Sequence, residues 1–204
     1  MPNLRPLLGE QMRQYSEHLL FVKTFLKNPT EIGSAVPSSR FLVEGMLSRL
    51  NLEQARVVVE YGPGTGVLTK AILDRVEQKA FFFALETNIE LCEMLRNKFP
   101  GTNIINDSAE NVELHLERLG LDAADYVISS LPFALIKPEV CSRIMASTWR
   151  ALRAGGVFVT YQYVHSRILT TSSFTRVHTK AFSRMDTSVV FRNFPPAFVF
   201  RCVK

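Results

Sequence analysis

Glu60-Tyr61-Gly62-Pro63-Gly64-Thr65-Gly66 is the stretch of this 204-residue chain whose residue types and spacing point most directly to chemistry. Three glycines at alternate positions let the backbone turn sharply and approach a ligand that any Cβ would block. They follow a β-branched run, Val57-Val58-Val59, and precede a helical pattern from Val67. A strand that stops in a glycine-rich turn and opens a helix suits a nucleotide cofactor. The spacing is G-x-G-x-G rather than G-x-G-x-x-G, and no Lys-Ser/Thr follows. A dinucleotide fingerprint and a Walker loop therefore both fit poorly. Glu60 sets its negative charge against a pyrophosphate but suits a cofactor that carries an ammonium group.

Two further acids end apolar runs. Phe81-Phe82-Phe83-Ala84-Leu85 stops at Glu86-Thr87, and Glu86 lies 20 residues past Gly66. Doubly wound sheets place there a carboxylate that accepts the ribose hydroxyl protons. Asn103-Ile104-Ile105-Asn106 runs into Asp107-Ser108-Ala109. A fourth run, Tyr126 to Ser129 and Ser130, enters Leu131-Pro132-Phe133, and a fifth spans Gly156 to Tyr161. Three acids in register on successive strand ends are the signature of one ligand crevice. S-adenosylmethionine (SAM), with an ammonium and a sulfonium, fits that charge pattern. The expected cofactor set is Glu60, Gly62, Gly64, Gly66, Glu86, Thr87, Asp107, Ser108, Ala109 and Ser129. No metal is expected. Cys92, Cys141 and Cys202 are scattered without ligand spacing and read as buried thiols of a reducing cytosol.

These residues need strands alternating with helices, hence an α/β doubly wound, mostly parallel sheet. The Asn193-Phe194-Pro195-Pro196 turn predicts a C-terminal hairpin from about Thr187–Arg192 and Ala197–Val203. Residues 1–50 read as a helical segment and residues 51–204 as the cofactor domain, in one compact domain overall. Met12, Tyr15, Leu19, Val22 and Leu26 recur at helical spacing, with Phe21 and Phe25 widening that face. Such a helix either packs on the sheet or lies in a membrane interface. The small-residue stretch from Gly33 to Ser39 reads as a loop, in which Ser38 or Ser39 caps a helix from Phe41 to Leu50.

Apolar residues make up 47 %, ordinary for a globular protein and too many for a disordered one. No apolar run approaches the roughly 20 residues that span a bilayer. The N-terminus lacks the order of a secretion signal, so a cytoplasmic protein is expected. Residues 1–50 carry a net +2, residues 51–140 a net −6 and residues 141–204 a net +9, the last with Asp186 as the lone acid. A surface that basic suits an anionic membrane or nucleic acid.

The glycine loop resembles motif I of class I SAM-dependent methyltransferases. That resemblance implies a Rossmann-like, seven-stranded sheet with a C-terminal antiparallel hairpin and N-terminal helices. It also implies that Asp107 contacts the adenine amino group. Gly33…Pro37-Ser38-Ser39, the glycine loop, Leu131-Pro132 and Asn193-Phe194-Pro195-Pro196-Ala197 together resemble the small bacterial phospholipid N-methyltransferases, from about residue 20 onward. These enzymes methylate phosphatidylethanolamine stepwise. The resemblance implies a protein held peripherally at the inner face of the membrane, with an anionic surface and a phospholipid as partners. The layout is also similar to rRNA adenine dimethyltransferases, whose fourth motif reads Asn-Leu-Pro-Tyr or Asn-Ile-Pro-Phe. Here Ser130-Leu131-Pro132-Phe133 replaces Asn with a shorter hydroxyl, which recognises a planar amino group less well. The helical C-terminal extension that grips rRNA is not expected either.

Methyl transfer to an amine needs hydrogen-bond acceptors and a desolvated cavity beside the donor methyl. Ser130, the Leu131 carbonyl, Tyr161 and His165 are the catalytic candidates. Phe21, Phe25, Ser38, Phe133 and Arg167 are the candidates for substrate or membrane contact, Phe133 being either a stacking platform or a core aromatic. A rRNA adenine dimethyltransferase and a non-catalytic SAM-binding protein are the alternatives.

Overall fold

The computed structural model describes residues 35–164, 181–193 and 195–204. The expected helix over residues 10–27, with Phe21 and Phe25, lies outside them, as do His165 and Arg167. α1 (Ala35–Leu47) precedes β1 (Val57–Tyr61). Next come α2 (Val67–Leu73), β2 (Phe81–Glu86), α3 (Ile89–Lys98) and β3 (Asn103–Asn106). α4 (Val112–Arg118), β4 (Ala124–Ser129), α5 (Pro138–Ala151) and β5 (Leu152–Tyr163) follow. β6 (Arg184–Val190) and β7 (Ala197–Val203) form the hairpin.

The seven strands lie in the order β3-β2-β1-β4-β5-β7-β6. β1 to β5 run parallel, and β7 is antiparallel to both β5 and β6. This is the class I methyltransferase fold. The strand order reverses beside β1, so the crevice between β1 and β4 opens at their carboxyl ends. β1 is buried at every position. Strands covered on both faces read as continuous apolar runs, which is why Val57-Val58-Val59 shows no polar alternation.

Side chains leave the two faces alternately and build two cores. Val57, Val59, Phe83, Val127 and Phe158 pack against Val112 and Leu116 of α4 and Ile144 and Met145 of α5. Val58, Phe82, Ala84, Ile128 and Val159 pack against Met46 of α1, Ile72 of α2 and Leu95 of α3. Each fully buried large side chain stabilises the fold by about 1.5–3 kcal/mol.

Three elements start earlier than the sequence reading has them. α1 starts at Ala35 rather than Phe41, so Ser38 lies inside the helix and does not cap it. Pro37 sits in the first turn, where an absent N–H breaks no hydrogen bond. β5 begins at Leu152 rather than Gly156, because Leu152 pairs with Ala124 of β4. β6 begins at Arg184 rather than Thr187, since its ladder continues to the Arg184–Val203 pair. Pro37–Lys204 forms one compact unit that includes α1 from its third residue.

Two polar contacts hold the layers in register. Asp125 on β4 accepts the Arg56 and Val57 backbone N–H groups at 2.8 and 2.9 Å and the Arg153 guanidinium at 2.5 Å, tying β1, β4 and β5 at their start. Burial alone would raise its pKa, but these donors outweigh that and hold the carboxyl below the usual range. Buried Arg201 on β7 donates to the Gly45 carbonyl in the last turn of α1 and, at 3.1 Å, to the Ser188 hydroxyl. A cation there also complements the helix dipole.

Candidate cofactor and acceptor site

The glycine loop leaves β1 at the carboxyl edge of the sheet. Gly62 and Gly66 have φ of 65° and 81°, left-handed values that side chains rarely adopt. A Cβ on Gly66 would meet the Phe99 ring at 2.5 Å, and one on Gly62 would meet Leu131 at 2.9 Å. The first contact lets α2 start against α3. The second brings the cofactor loop against the turn after β4.

Glu60, the last but one residue of β1, is fully buried. Among the described residues neither carboxyl oxygen has a hydrogen-bond partner, and the nearby Thr69 hydroxyl has none either. Burial pushes the Glu60 carboxyl up to about 8; Thr69 offsets part of that rise, and the charge of Glu86 adds to it. An orphaned buried carboxyl is costly unless a partner arrives. A cation delivered beside the loop would be that partner.

Glu86 ends β2 with its oxygens aimed at the loop. It accepts the Asn88 N–H at 2.9 Å and the Gly64 N–H at 3.4 Å. Each oxygen retains a lone pair, as a ribose-binding carboxylate requires. Thr87 follows on the surface. The backbone continues the crevice, with Asp107 N–H donating to the Glu86 carbonyl at 3.1 Å.

Asp107 is already engaged. His115 Nε2 lies 2.8 Å from one oxygen, and Asn111 and the Ser108 N–H reach the other at 2.8 and 2.7 Å. Burial works to raise its pKa, yet these donors together hold the carboxyl below its ordinary value. Ser108 accepts the Glu110 N–H at 3.2 Å and caps the short helical turn over Ala109. Sequence reading missed His115 and Asn111. The signal was available: His115 sits three residues after Val112 and one before Leu116, on the apolar stripe of α4.

The turn after β4 forms the acceptor side. Ser130 N–H donates to the Tyr61 carbonyl at 2.9 Å, which holds the turn on the end of β1. Buried Ser129 is used internally, accepting the Leu131 N–H at 3.2 Å. The Leu131 carbonyl accepts the Phe133 N–H at 2.9 Å, leaving one lone pair for a substrate. The Ser130 hydroxyl makes no hydrogen bond among the described residues. Phe133 is only 5 % exposed, and its ring meets Phe158 edge-on at 6.1 Å. It is a core residue, so the alternative of an open stacking platform is corrected: the ring anchors the turn on the sheet. Tyr161 stands one residue past the Ser129–Thr160 pair, its ring edge-on to Tyr163 at 5.4 Å. Burial pushes the Tyr161 hydroxyl upward, so it stays protonated and can exchange hydrogen bonds but cannot serve as a base.

The strand order thus brings Glu60, the three glycines, Glu86 and Asp107 to the carboxyl ends of β1 to β3, with Ser130 and Leu131 after the end of β4 and Tyr161 toward the end of β5. The residues fit SAM: the orphaned Glu60 carboxyl suits a cationic group, and the Gly62 and Gly66 contacts leave no room for side chains on the loop. Among the described residues, no cluster of His, Cys, Asp or Glu could hold a metal ion. None of their helices is long and apolar enough to cross a membrane.

Strand order and glycine loop are those of the class I methyltransferase fold. The family model for ribosomal RNA adenine dimethylase matches residues 26–114. An ornithine lipid N-methyltransferase of Singulisphaera acidiphila is 29 % identical over 193 residues, covering 91 % of this chain and 95 % of that protein. Ribosomal RNA small subunit methyltransferase A of Chlorobium phaeobacteroides is 30 % identical over 103 residues, covering 48 % of this chain and 37 % of its own. Among solved structures, the N-methyltransferase NodS of Bradyrhizobium japonicum superposes with a TM-score of 0.67 at 10 % identity, covering 82 % of this chain and 97 % of that one. The chain is accordingly a SAM-dependent methyltransferase related to lipid and rRNA adenine methyltransferase families.

Proposed function

We propose that this chain methylates the primary amine of a membrane-lipid head group, with phosphatidylethanolamine as the acceptor. The carrying observation is the turn after β4. It offers a hydroxyl and one carbonyl lone pair, and its aromatic ring is buried, so neither a carboxamide nor an open ring is there to receive a nucleobase. The sequence relations support the same reading. The lipid methyltransferase aligns along 91 % of the chain at 29 % identity, against 79 % at 23 % identity for a probable rRNA methyltransferase of Methanococcus aeolicus.

When bound, SAM supplies an electrophilic methyl group on a sulfonium, which an amine lone pair accepts to leave S-adenosylhomocysteine. Glu60 would balance the cofactor's ammonium, Glu86 would accept its ribose hydroxyls, and Asp107 with Ser108 and Ala109 would line its adenine. An ethanolamine amine has a pKa of roughly 10 and arrives mostly protonated. The Ser130 hydroxyl and the Leu131 carbonyl can accept its N–H hydrogens and orient its lone pair. Tyr161 would present a neutral hydroxyl toward the acceptor. Orientation alone is worth up to about 7–11 kcal/mol in favourable cases, so a strong base is not required. His165 and Arg167 are further candidates beyond the end of β5. Residues 10–27, with Phe21 and Phe25, would lie in the interface of an anionic membrane at the cytoplasmic face.

The test is labelled-methyl transfer from SAM to vesicles containing phosphatidylethanolamine, to vesicles containing ornithine lipid, and to deproteinised rRNA. Methylated phosphatidylethanolamine is the expected product. Label only in ornithine lipid would keep the amine-lipid chemistry and change the head group. N6-methylated adenine with no labelled lipid would replace this reading with the rRNA one, and no labelled acceptor despite bound SAM would leave a non-catalytic binding protein.

A further inference from the structure

Phe191 is 79 % exposed, more than any other large apolar residue named among the described ones. It follows β6 at the tip of the hairpin. Val190 pairs with Ala197, and Ala197 pairs with Tyr163 at the carboxyl end of β5. The tip therefore stands at the same end of the sheet as the glycine loop and Ser130. Arg192 beside it lays its guanidinium over the Phe41 ring of α1, 4.2 Å from the centroid, and exposed Arg40 lies 5.8 Å from the same centroid. Val189, two residues before Phe191 on the same strand, is also exposed.

We propose that this hairpin tip is a membrane-docking surface. Phe191 enters the interfacial layer of an anionic bilayer, and Arg192 and Arg40 meet its phosphates. The inference rests on the lipid reading and adds a contact on an element distant in sequence from residues 10–27. Charge complementarity supports a bilayer. The last 64 residues hold one acid against ten Lys or Arg, of which Arg143, Arg150 and Arg153 pair with acids elsewhere while Arg192 stands at the tip beside Arg40. That acid, Asp186, is paired with Arg184, at the opposite end of β6 from the tip. Glu44, the acid of α1 nearest Phe41 in sequence, is taken up by Arg75 at 2.7 Å. RNA also binds aromatic and basic surfaces. Here the Phe41 face is covered by Arg192, and Val189, the next residue on Phe191's side of the strand, is aliphatic, which suits acyl chains better than base planes. Docking by this edge would turn the acceptor side of the crevice toward the head groups.

The experiment uses the full chain with vesicles of phosphatidylglycerol and phosphatidylethanolamine. Phe191→Ser should weaken sedimentation with vesicles about tenfold, and Arg192→Ala about fivefold. S-adenosylhomocysteine affinity and melting temperature serve as fold controls and should not move. Phe191→Trp should keep vesicle binding, and its emission, with the Trp149 signal of the unaltered chain subtracted, should shift to shorter wavelength and be quenched by brominated acyl chains. If Phe191→Ser sediments like the unaltered chain while that chain methylates lipid, the docking surface is overturned and the lipid reading stands. If the unaltered chain labels rRNA and no lipid, both fall.

Discussion

The carboxyl ends of β1, β2 and β3 and the carboxyl ends of β4 and β5 face one crevice but are built differently. On the first side the backbone dominates: left-handed glycines, a loop N–H on Glu86, and carboxylates set before any ligand arrives. On the second side, side chains are folded into their own turn, with Ser129 bonded to Leu131 and Phe133 sunk against Phe158. The first side lies within the stretch matched by the rRNA dimethylase model, and the second lies past it. A cofactor common to many enzymes needs one backbone geometry, whereas the acceptor wall is free to vary.

Changes on the two sides should therefore separate affinity from rate. The largest effect is expected for Glu86→Ala, which removes charge-assisted hydrogen bonds worth about 1.5–3 kcal/mol each. S-adenosylmethionine affinity by calorimetry should fall on the order of a hundredfold with the fold retained; unchanged affinity would reject the ribose assignment.

Next in size is Gly66→Ala. Its Cβ would strike Phe99 at 2.5 Å on a backbone with φ of 81°, so thermal unfolding should report a loss of about 2–4 kcal/mol. The acceptor-side Ser130→Ala should cost under about 0.5 kcal/mol by the same measurement.

Glu60 gives a pH signature. Its carboxyl titrates near 8 in the ligand-free protein, against 4.5 when unperturbed. Between those values the folded state holds a proton that the unfolded chain releases, so stability falls as pH rises through the window. Glu60→Gln should flatten that slope and raise stability at pH 8 by roughly 1–4 kcal/mol. A cation bound beside Glu60 favours its ionised form. Affinity for SAM should accordingly rise by up to about tenfold per pH unit between pH 6 and 8 and then level off. A flat profile would break the pairing of Glu60 with the cofactor's charge.

The smallest effect on binding belongs to Ser130→Asn. Cofactor affinity should stay within about twofold, a shift near the usual limit for substitutions outside a binding contact. Lipid methylation should not improve, because the bulkier carboxamide narrows the amine's approach. A gain in lipid turnover would dissolve the division between the two sides.

Much of the first side was legible in the sequence. Period-two burial is absent from Val57-Val58-Val59, and glycines at alternate positions have few other uses, so strand, loop and helix could be read in order. Glu86 and Asp107 were placed by spacing from those glycines. β7 was legible from its apolar run and β6 from Thr187 onward, while the start of β6 was not, because Arg184-Met185-Asp186 resembles a loop until Val203 pairs with it. Likewise Leu152-Arg153-Ala154 resembles the end of a helix until Ala124 claims Leu152.

What the sequence by itself determined is the local chemistry: which residues can turn the chain, end a strand in a charge, or fill a core facing both ways. Those properties belong to single residues and their near neighbours. Only the tertiary structure decided the rest. It set the burial that holds Glu60 protonated near neutrality, the His115 and Asn111 contacts that occupy Asp107, the sinking of Phe133 into the core, and the exposure of Phe191 at the hairpin tip. Each depends on groups far apart in the chain, since desolvation and hydrogen-bond partners are supplied by whatever the fold brings alongside.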